Sequence, residues 1–311
     1  MRMQQPWHND ISFSISEIRA IVVRHTNLED AVIQKLDEGW DTEIYLVNDE
    51  LIFRFAKREF VIPFINTEIR ALPILGANLN WPIPTIRHSG LFKEVYPYFS
   101  YPKLPGTIAA DLALTDEEKQ YLIIPVTGFL NQLHGIPLSD SIRAVIPPDT
   151  IGRLDIAKRT DQIKSRMRFA AELGFSFSDQ WLEDLRSNIS QKDVEKTACL
   201  VHGDLYARNI LIQDRRSISG VIDWTDIHIG HPAKDLAFAV SFFNPDALWQ
   251  VINNYRGFEG AFFHLATLSA LNLACRLAEY ALDIGNELLI AECKTSFANI
   301  HSNYAAYSKS W

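Results

Sequence analysis

Apolar residues recur at helical spacing near the start of the chain. Within residues 16–24, Ile18, Ile21 and Val22 share one face and Ser16 is placed to cap the helix. The period then shortens. Residues 31–36 alternate, Gly39-Trp40-Asp41 marks a turn, and residues 44–47 form a continuous apolar run. Asn48-Asp49 marks a second turn before Leu51-Ile52-Phe53-Arg54-Phe55. This pattern predicts a small antiparallel sheet with a glycine turn between its first two strands. Helical spacing returns over 64–75 through Phe64, Ile65, Ile69, Leu72 and Leu75, and Pro82 and Pro84 stop it. Residues 95–103 are aromatic and strand-like, and Leu104-Pro105-Gly106 breaks the pattern.

From Thr115 onward the spacing is mostly helical, over 115–134, 154–173, 178–188, 233–243, 246–255 and a long stretch of about 258–307. Residues 199–224 are the exception: three short apolar strands joined by polar loops. The switch predicts an α+β chain of two lobes. A β-rich N-terminal lobe covers 1–104 and a mainly helical C-terminal lobe covers 105–311.

Composition narrows the function classes. The chain has 311 residues, 47% hydrophobic, which is enough for a large core and more than one small domain. Net charge is −8, and its 30 Lys and Arg residues form no basic block, which argues against a nucleic-acid partner. The acidic balance tolerates a cationic substrate without requiring one. Cys199, Cys275 and Cys293 have no metal-like spacing and read as buried thiols of a reducing compartment. His25, His88, His228, His264 and His301 likewise show no metal spacing. The N-terminus lacks a signal-peptide pattern, and no apolar run is expected to approach the ~20 residues that span a bilayer. A soluble, cytoplasmic, monomeric protein is the expectation.

The chemistry concentrates in His202-Gly-Asp204-Leu-Tyr-Ala-Arg-Asn209-Ile-Leu-Ile and Gly220-Val-Ile-Asp223-Trp. Phosphoryl transfer needs one carboxylate to orient an attacking hydroxyl and accept its proton. It also needs oxygen ligands for the Mg²⁺ ions that bridge the phosphates. Asp204 fits the first role; the Asn209 amide and the Asp223 carboxylate fit the second. The strands after Asn209 and before Asp223 can pair as a hairpin and bring all three to one mouth. An Asp-x-x-x-x-Asn spacing alone is common. The flanking His-Gly, Ile-Leu-Ile and Ile-Asp-Trp make this segment specific.

That segment resembles the catalytic loop and metal-binding strand of the aminoglycoside/macrolide phosphotransferases, antibiotic kinases with a protein-kinase-like fold. The resemblance implies Asp204 as catalytic base and Asn209 and Asp223 as Mg²⁺ ligands. It extends to Gly230-His231-Pro-Ala-Lys-Asp235-Leu-Ala, where His231 replaces a usual Asp and Asp235 is expected to brace the catalytic loop. It also implies a cation for the nucleotide phosphates at Arg54, with Lys57 as the alternative and Glu68 as the ion-pair partner. Gly39 would lie in the phosphate-covering turn, and Tyr101, Lys103 and Leu104 in the hinge that reads the base of GTP or ATP.

The resemblance implies a kinase for an antibiotic hydroxyl. The look of the motifs, with residues 280–287, leans toward macrolide 2′-kinases. Aminoglycosides remain the competing substrate class. A kinase of a choline, homoserine or sugar type of metabolite and a non-catalytic kinase-fold nucleotide-binding protein are the alternatives. Glu279, Asp283 and Glu287 fall at i, i+4 and i+8, so on a continuous helix they would share one face. Glu279 and Asp283, with Asp226, are the candidate contacts to a cationic substrate; a solvated acidic face is the plain alternative. Gly285-Asn286 could end the helix before Glu287 joins that face.

Overall fold

The computed structural model describes residues 10–38 and 41–310. The chain divides into two compact units. One runs up to Leu104 and includes Trp224–Asp226; the other holds Pro105–Asp223 and the chain from Ile227 onward. The three-residue excursion corrects a single boundary at 104/105. It moves Asp226 out of the helical lobe in which its substrate role was expected.

The N-terminal unit is α1 (Ile15–Thr26), β1 (Ile33–Glu38), β2 (Thr42–Val47), β3 (Leu51–Ala56), α2 (Ile62–Asn78), β4 (His88–Phe92) and β5 (Tyr96–Pro102). Its antiparallel sheet has the order β1-β2-β3-β5-β4. Side chains alternate across β3. Phe53 and Phe55 enter a core with Ile18 and Val22 of α1, while Arg54 between them points to the other face and meets Glu68 of α2. The cap of α1 is Ser14 rather than Ser16. Glu17 lies three residues after Ser14, and the pair forms a reciprocal capping box. Asn48 and Asp49 both take positive φ, 51° and 58°, in the three-residue turn that joins β2 to β3. The turn expected at Gly39 lies outside the described residues. The sequence pattern gives no sign of β4, whose exposed alternate positions and central Gly90 carry little hydrophobic signal. Gly90 packs under Tyr98, whose Oη would lie 2.5 Å from an added Cβ.

The C-terminal unit begins with β6 (Thr107–Ile108). Six helices follow: α3 (Asp116–Gln120), α4 (Ile123–His134), α5 (Asp140–Arg143), α6 (Ile156–Glu172), α7 (Asp179–Ser187) and α8 (Gln191–Lys196). Then come β7 (Cys199–Val201), β8 (Ile210–Gln213), β9 (Ser217–Val221), β10 (His228–Gly230), α9 (Ala233–Phe242), α10 (Pro245–Asn254), α11 (Gly260–Ile284) and α12 (Glu287–Tyr307). β6, β8 and β9 form one small sheet, and β7 pairs with β10. The long helical stretch is divided at Gly285-Asn286, the helix end the sequence offered. Gly285 adopts the left-handed conformation, φ 65°, and Asn286 caps α12 by accepting from the Leu289 N–H.

Two helices are long and apolar enough to cross a membrane by length and composition, Glu59–Asn78 and Gly260–Ile284, against the expectation of none. For the second, 72% of the apolar window is buried inside the protein. It packs against α6, α9 and α12, as a core helix apolar on most sides does.

Gly106 opens the C-terminal unit at φ 104°, where an added Cβ would lie 2.2 Å from Ser219 Oγ and 2.9 Å from the Ile212 carbonyl. Ser219 is held there by its hydrogen bond to the Pro105 carbonyl, 2.6 Å. Gly106→Ala is expected to destabilise the protein by about 1–3 kcal/mol through strain and crowding. Thermal melts followed by circular dichroism check this; an unchanged midpoint contradicts it.

Candidate functional site

β7 carries the chain into His202-Gly203-Asp204. Leu200 and Val201 are fully buried, so the strand's end is anchored before the polar loop begins. Gly203 takes φ 86°, a conformation open to glycine. The buried carboxylate of Asp235, in the first turn of α9, accepts from the His202 N–H at 2.7 Å and the Gly203 N–H at 2.9 Å. His134, at the end of α4, donates to the same group at 3.1 Å and is itself hydrogen-bonded to Tyr255 at 2.8 Å. Asp235 thus braces the loop. Burial alone would raise its carboxyl pKa. The hydrogen bond and positive charge of His134, with the Gly203 N–H, outweigh burial and bring it down to about 2.

The His202 ring ties the loop to the next strand. Nε2 donates to the Ile222 carbonyl at 3.0 Å, and Nδ1 accepts from the Asp204 N–H at 3.3 Å. Asn209 sits at the end of a short 3₁₀ turn. Its Nδ2 donates to the Asp204 carbonyl at 2.8 Å and lies 3.5 Å from the Asp204 carboxylate. The β8–β9 hairpin pairs Ile210 with Val221, and the Ile222 N–H donates to the Asn209 carbonyl at 2.9 Å. Asp223 follows with φ 60°, a strained setting for a residue with a Cβ. Asp204, Asn209 and Asp223 are therefore brought together by local pairing.

The donor set suits a hard divalent cation. The Asn209 amide nitrogen is spent on Asp204, which turns Oδ1 the other way. That oxygen accepts no hydrogen bond from a described residue. With the Asp223 carboxylate it offers an all-oxygen pair of the kind that would hold Mg²⁺.

In the N-terminal unit Arg54 Nη1 donates to Glu68 Oε1 at 2.8 Å, with both side chains buried. Thr225 Oγ1 donates to Glu68 Oε2 at 2.8 Å and accepts from Arg54 Nη2 at 3.2 Å, and the Trp224 N–H donates to Glu68 at 3.0 Å. The guanidinium lies 5.5 Å from the Phe99 ring centroid. Lys57 is buried as well. Tyr101 is buried on β5 opposite Ile52. The Lys103 ammonium is turned to Asp49 at 2.5 Å and its N–H donates to the Glu50 carbonyl at 2.7 Å, which leaves its carbonyl as the group suited to reading a base. Leu104 is the half-buried last residue of this unit, and Gly39 lies outside the described residues.

A cavity of about 200 Å³ lies in the C-terminal unit. Tyr206 and Ala207, just past Asp204, form part of its wall. Phe238 and Phe242 of α9 and Ala270, Leu273, Ala274 and Leu277 of α11 supply most of the rest. Its ionisable groups are few. Glu292 of α12 is paired with Arg208 at 2.9 Å, Asp111 is exposed, and Lys119 belongs to α3. Burial raises the Glu292 carboxyl pKa even against the Arg208 charge.

The expected acidic face does not line this cavity. Glu279 is two residues past Leu277, about 200° round the helix, and is bound to Arg166 at 2.6 Å. Asp283 is exposed, and the Gly285 break puts Glu287 on another helix. His231 is buried and takes a structural place. Its Nδ1 accepts from the Ala233 N–H at the start of α9, and burial first, then the charge of His134, bring its pKa down to about 4. His134, Arg208, Tyr206, Glu292 and Lys119 carry no spacing signal in the sequence, because they converge from separate elements.

Residues 32–269 match the family described as the phosphotransferase enzyme family. The protein YcbJ of Bacillus subtilis (strain 168) is 25% identical over 238 residues, 70% of this chain and 73% of that protein. Viomycin phosphotransferase of Streptomyces vinaceus is 26% identical over 195 residues, 59% of this chain and 63% of that one. Among solved structures, the GDP complex of a point mutant of aminoglycoside 2′-phosphotransferase-IIIa superposes with a TM-score of 0.69 at 20% identity, over 94% of this chain and 99% of that one. Macrolide 2′-phosphotransferase MphH from Brachybacterium faecium gives 0.63 at 20% identity, over 91% and 98%. The kinase-like fold is common to all three.

A carboxyl pKa lowered from 3.8 to about 2 contributes stability that is complete above pH 3.8 and lost as pH falls through about 2. Asp235→Asn is expected to be less stable at pH 7 by on the order of 2 kcal/mol. The gap to wild type should close between pH 4 and pH 2. Denaturant titrations across that window check the prediction, and equal stability at pH 7 contradicts it.

Proposed function

Because this chain belongs to the phosphotransferase enzyme family, we propose that it moves the γ-phosphoryl group of GTP or ATP to a hydroxyl of an antibiotic with a largely apolar body, of the macrolide type. The observation that carries the substrate class is the cavity whose wall begins at Tyr206 and Ala207, immediately after Asp204, and continues through Phe238, Phe242, Leu273 and Leu277. An aminoglycoside carries several ammonium groups and needs several uncommitted acids. Here Glu292 already answers Arg208, and Glu279 answers Arg166 away from the cavity.

Asp204 accepts the proton of the attacking hydroxyl, on a loop whose backbone Asp235 holds in register. Asn209 Oδ1 and the Asp223 carboxylate hold Mg²⁺, which when bound neutralises charge on the phosphate oxygens. Arg54, fixed by Glu68 and Thr225, is the cation for phosphate oxygens, and its delocalised fork suits them. The presence of Asp204, Asn209 and Asp223 together favours an enzyme over a nucleotide-binding pseudokinase. Guanine preference does not separate the substrate classes, since a similar aminoglycoside kinase structure is itself a GDP complex. We place the reaction in the cytoplasm, where nucleoside triphosphates are available and three buried free thiols stay reduced.

Asp204→Ala is expected to lower kcat by about a hundredfold or more while nucleotide still binds, the scale of a positioned proton acceptor. Asp223→Ala is expected to abolish Mg²⁺-dependent binding of an unreactive nucleotide analogue, because a charged metal ligand is lost. Steady-state kinetics and calorimetry read the two effects. Wild-type turnover in the first variant, or unchanged affinity in the second, removes that residue from its role. On a panel of macrolides and aminoglycosides, kcat/KM should favour macrolides and change little with added salt. A preference for aminoglycosides that weakens steeply with salt would reverse the substrate assignment.

A further inference from the structure

Lys119 is an unusual lining residue for an apolar cavity. It sits on the five-residue α3, which Thr115 caps through a reciprocal bond with Glu118, so its backbone is fixed. The side chain is 7% exposed, and its ammonium lies 4.8 Å from the centroid of the Phe242 ring. The nearest opposite charge is Asp116 on its own helix. No hydrogen bond or ion pair joins the ammonium to a described residue.

A buried cation without a paired anion is costly, and the ring face offsets only part of that cost. The other cation beside the cavity, Arg208, is occupied by Glu292 at 2.9 Å. Burial also lowers the Lys119 pKa below its ordinary value, against the opposing charge of Asp116. The cavity thus holds a cationic donor group with unused hydrogen-bonding capacity, set mainly among alanine, leucine and phenylalanine side chains.

We infer that Lys119 is a specificity-determining residue of the phosphoryl-acceptor site, donating a hydrogen bond to an acceptor oxygen, a carbonyl or carboxylate, on an otherwise apolar substrate and disfavouring polycations by charge repulsion. The inference rests on the cavity being the acceptor site, as proposed above. Each half has a physical basis. A bond from an ammonium to an acceptor oxygen in a water-poor cavity is stronger than a neutral one. A fixed like charge penalises a substrate that brings several ammonium groups.

The test is binding without nucleotide, by calorimetry, of erythromycin as the carbonyl-bearing apolar probe and kanamycin as the polycationic probe. Wild type, Lys119→Met and Lys119→Arg are compared. Lys119→Met keeps the side-chain length and removes a buried charge, so it should melt no lower than wild type. It should bind erythromycin about tenfold more weakly or worse, the scale of a lost charged hydrogen bond. It should bind kanamycin as well as or better than wild type, and nucleotide affinity should stay unchanged. Lys119→Arg should recover part of the erythromycin affinity. If wild type binds erythromycin and Lys119→Met binds it equally tightly, the inference is overturned while the proposed function stands. The same holds if Lys119→Met loses nucleotide affinity in parallel, because the effect is then general. If wild type binds kanamycin and not erythromycin, the proposed substrate class falls and the inference with it.

Discussion

The candidate active site depends on one buried carboxylate. Asp235 takes the His202 and Gly203 N–H groups and the His134 ring together, in a place where none of these polar groups has water to turn to. Leaving any of them unpaired there would cost a full desolvation penalty, so the arrangement is close to all-or-none. The consequence reaches Asp204, one residue past Gly203, whose N–H and carbonyl are fixed in turn by His202 and Asn209. The Asn209 carbonyl then holds Ile222, and Asp223 is next in the chain. Asp204, Asn209 and Asp223, the candidate base and oxygen ligands, are ordered by a relay of short bonds that begins at the N-terminus of α9.

The same helix links the loop to the apolar cavity. Asp235 lies on its first turn, and Phe238 and Phe242 project into the cavity at i+3 and i+7 from it. One helix therefore positions the Asp204 loop and supplies the apolar wall. The stripe of α11 that faces the cavity is built from alanine and leucine, while its acids lie on other faces, one neutralised by arginine and one in solvent. The proposal of an apolar acceptor substrate rests on that distribution of charge more than on any single residue.

What the sequence made legible is what short-range pairing builds. The spacing of Asp204, Asn209 and Asp223 was enough, because a tight loop and one hairpin bring them together. The pairing of Arg54 with Glu68 also agrees with a strand and helix read from their periods. The bracing by Asp235 came from a resemblance, since nothing local joins it to His202. The rest was hidden for physical reasons. Ser16 competed with Ser14 for the cap, and only the reach of Glu17 decided between them. Helical periodicity alone runs through Gly285; the Gly285-Asn286 pair, not the hydrophobic pattern, is what marked the break. The excursion at 224–226 is set by hydrogen bonds to Glu68, which no hydrophobic pattern records. The cavity could not be read at all. Lys119, Tyr206, Phe242, Leu277 and Glu292 come from five separate segments, and their meeting is a property of the packed helices.

Following the γ-phosphorus tests the central claim most directly. Wild-type protein is given Mg²⁺, a nucleoside triphosphate labelled at the γ-phosphate, and a macrolide, and the products are separated by mass. The account predicts that label appears on the macrolide as a single phosphoryl group on a hydroxyl, with matching formation of nucleoside diphosphate and little release to water. Label that passes only to water, or stays on the nucleotide whichever alcohol is supplied, would contradict it.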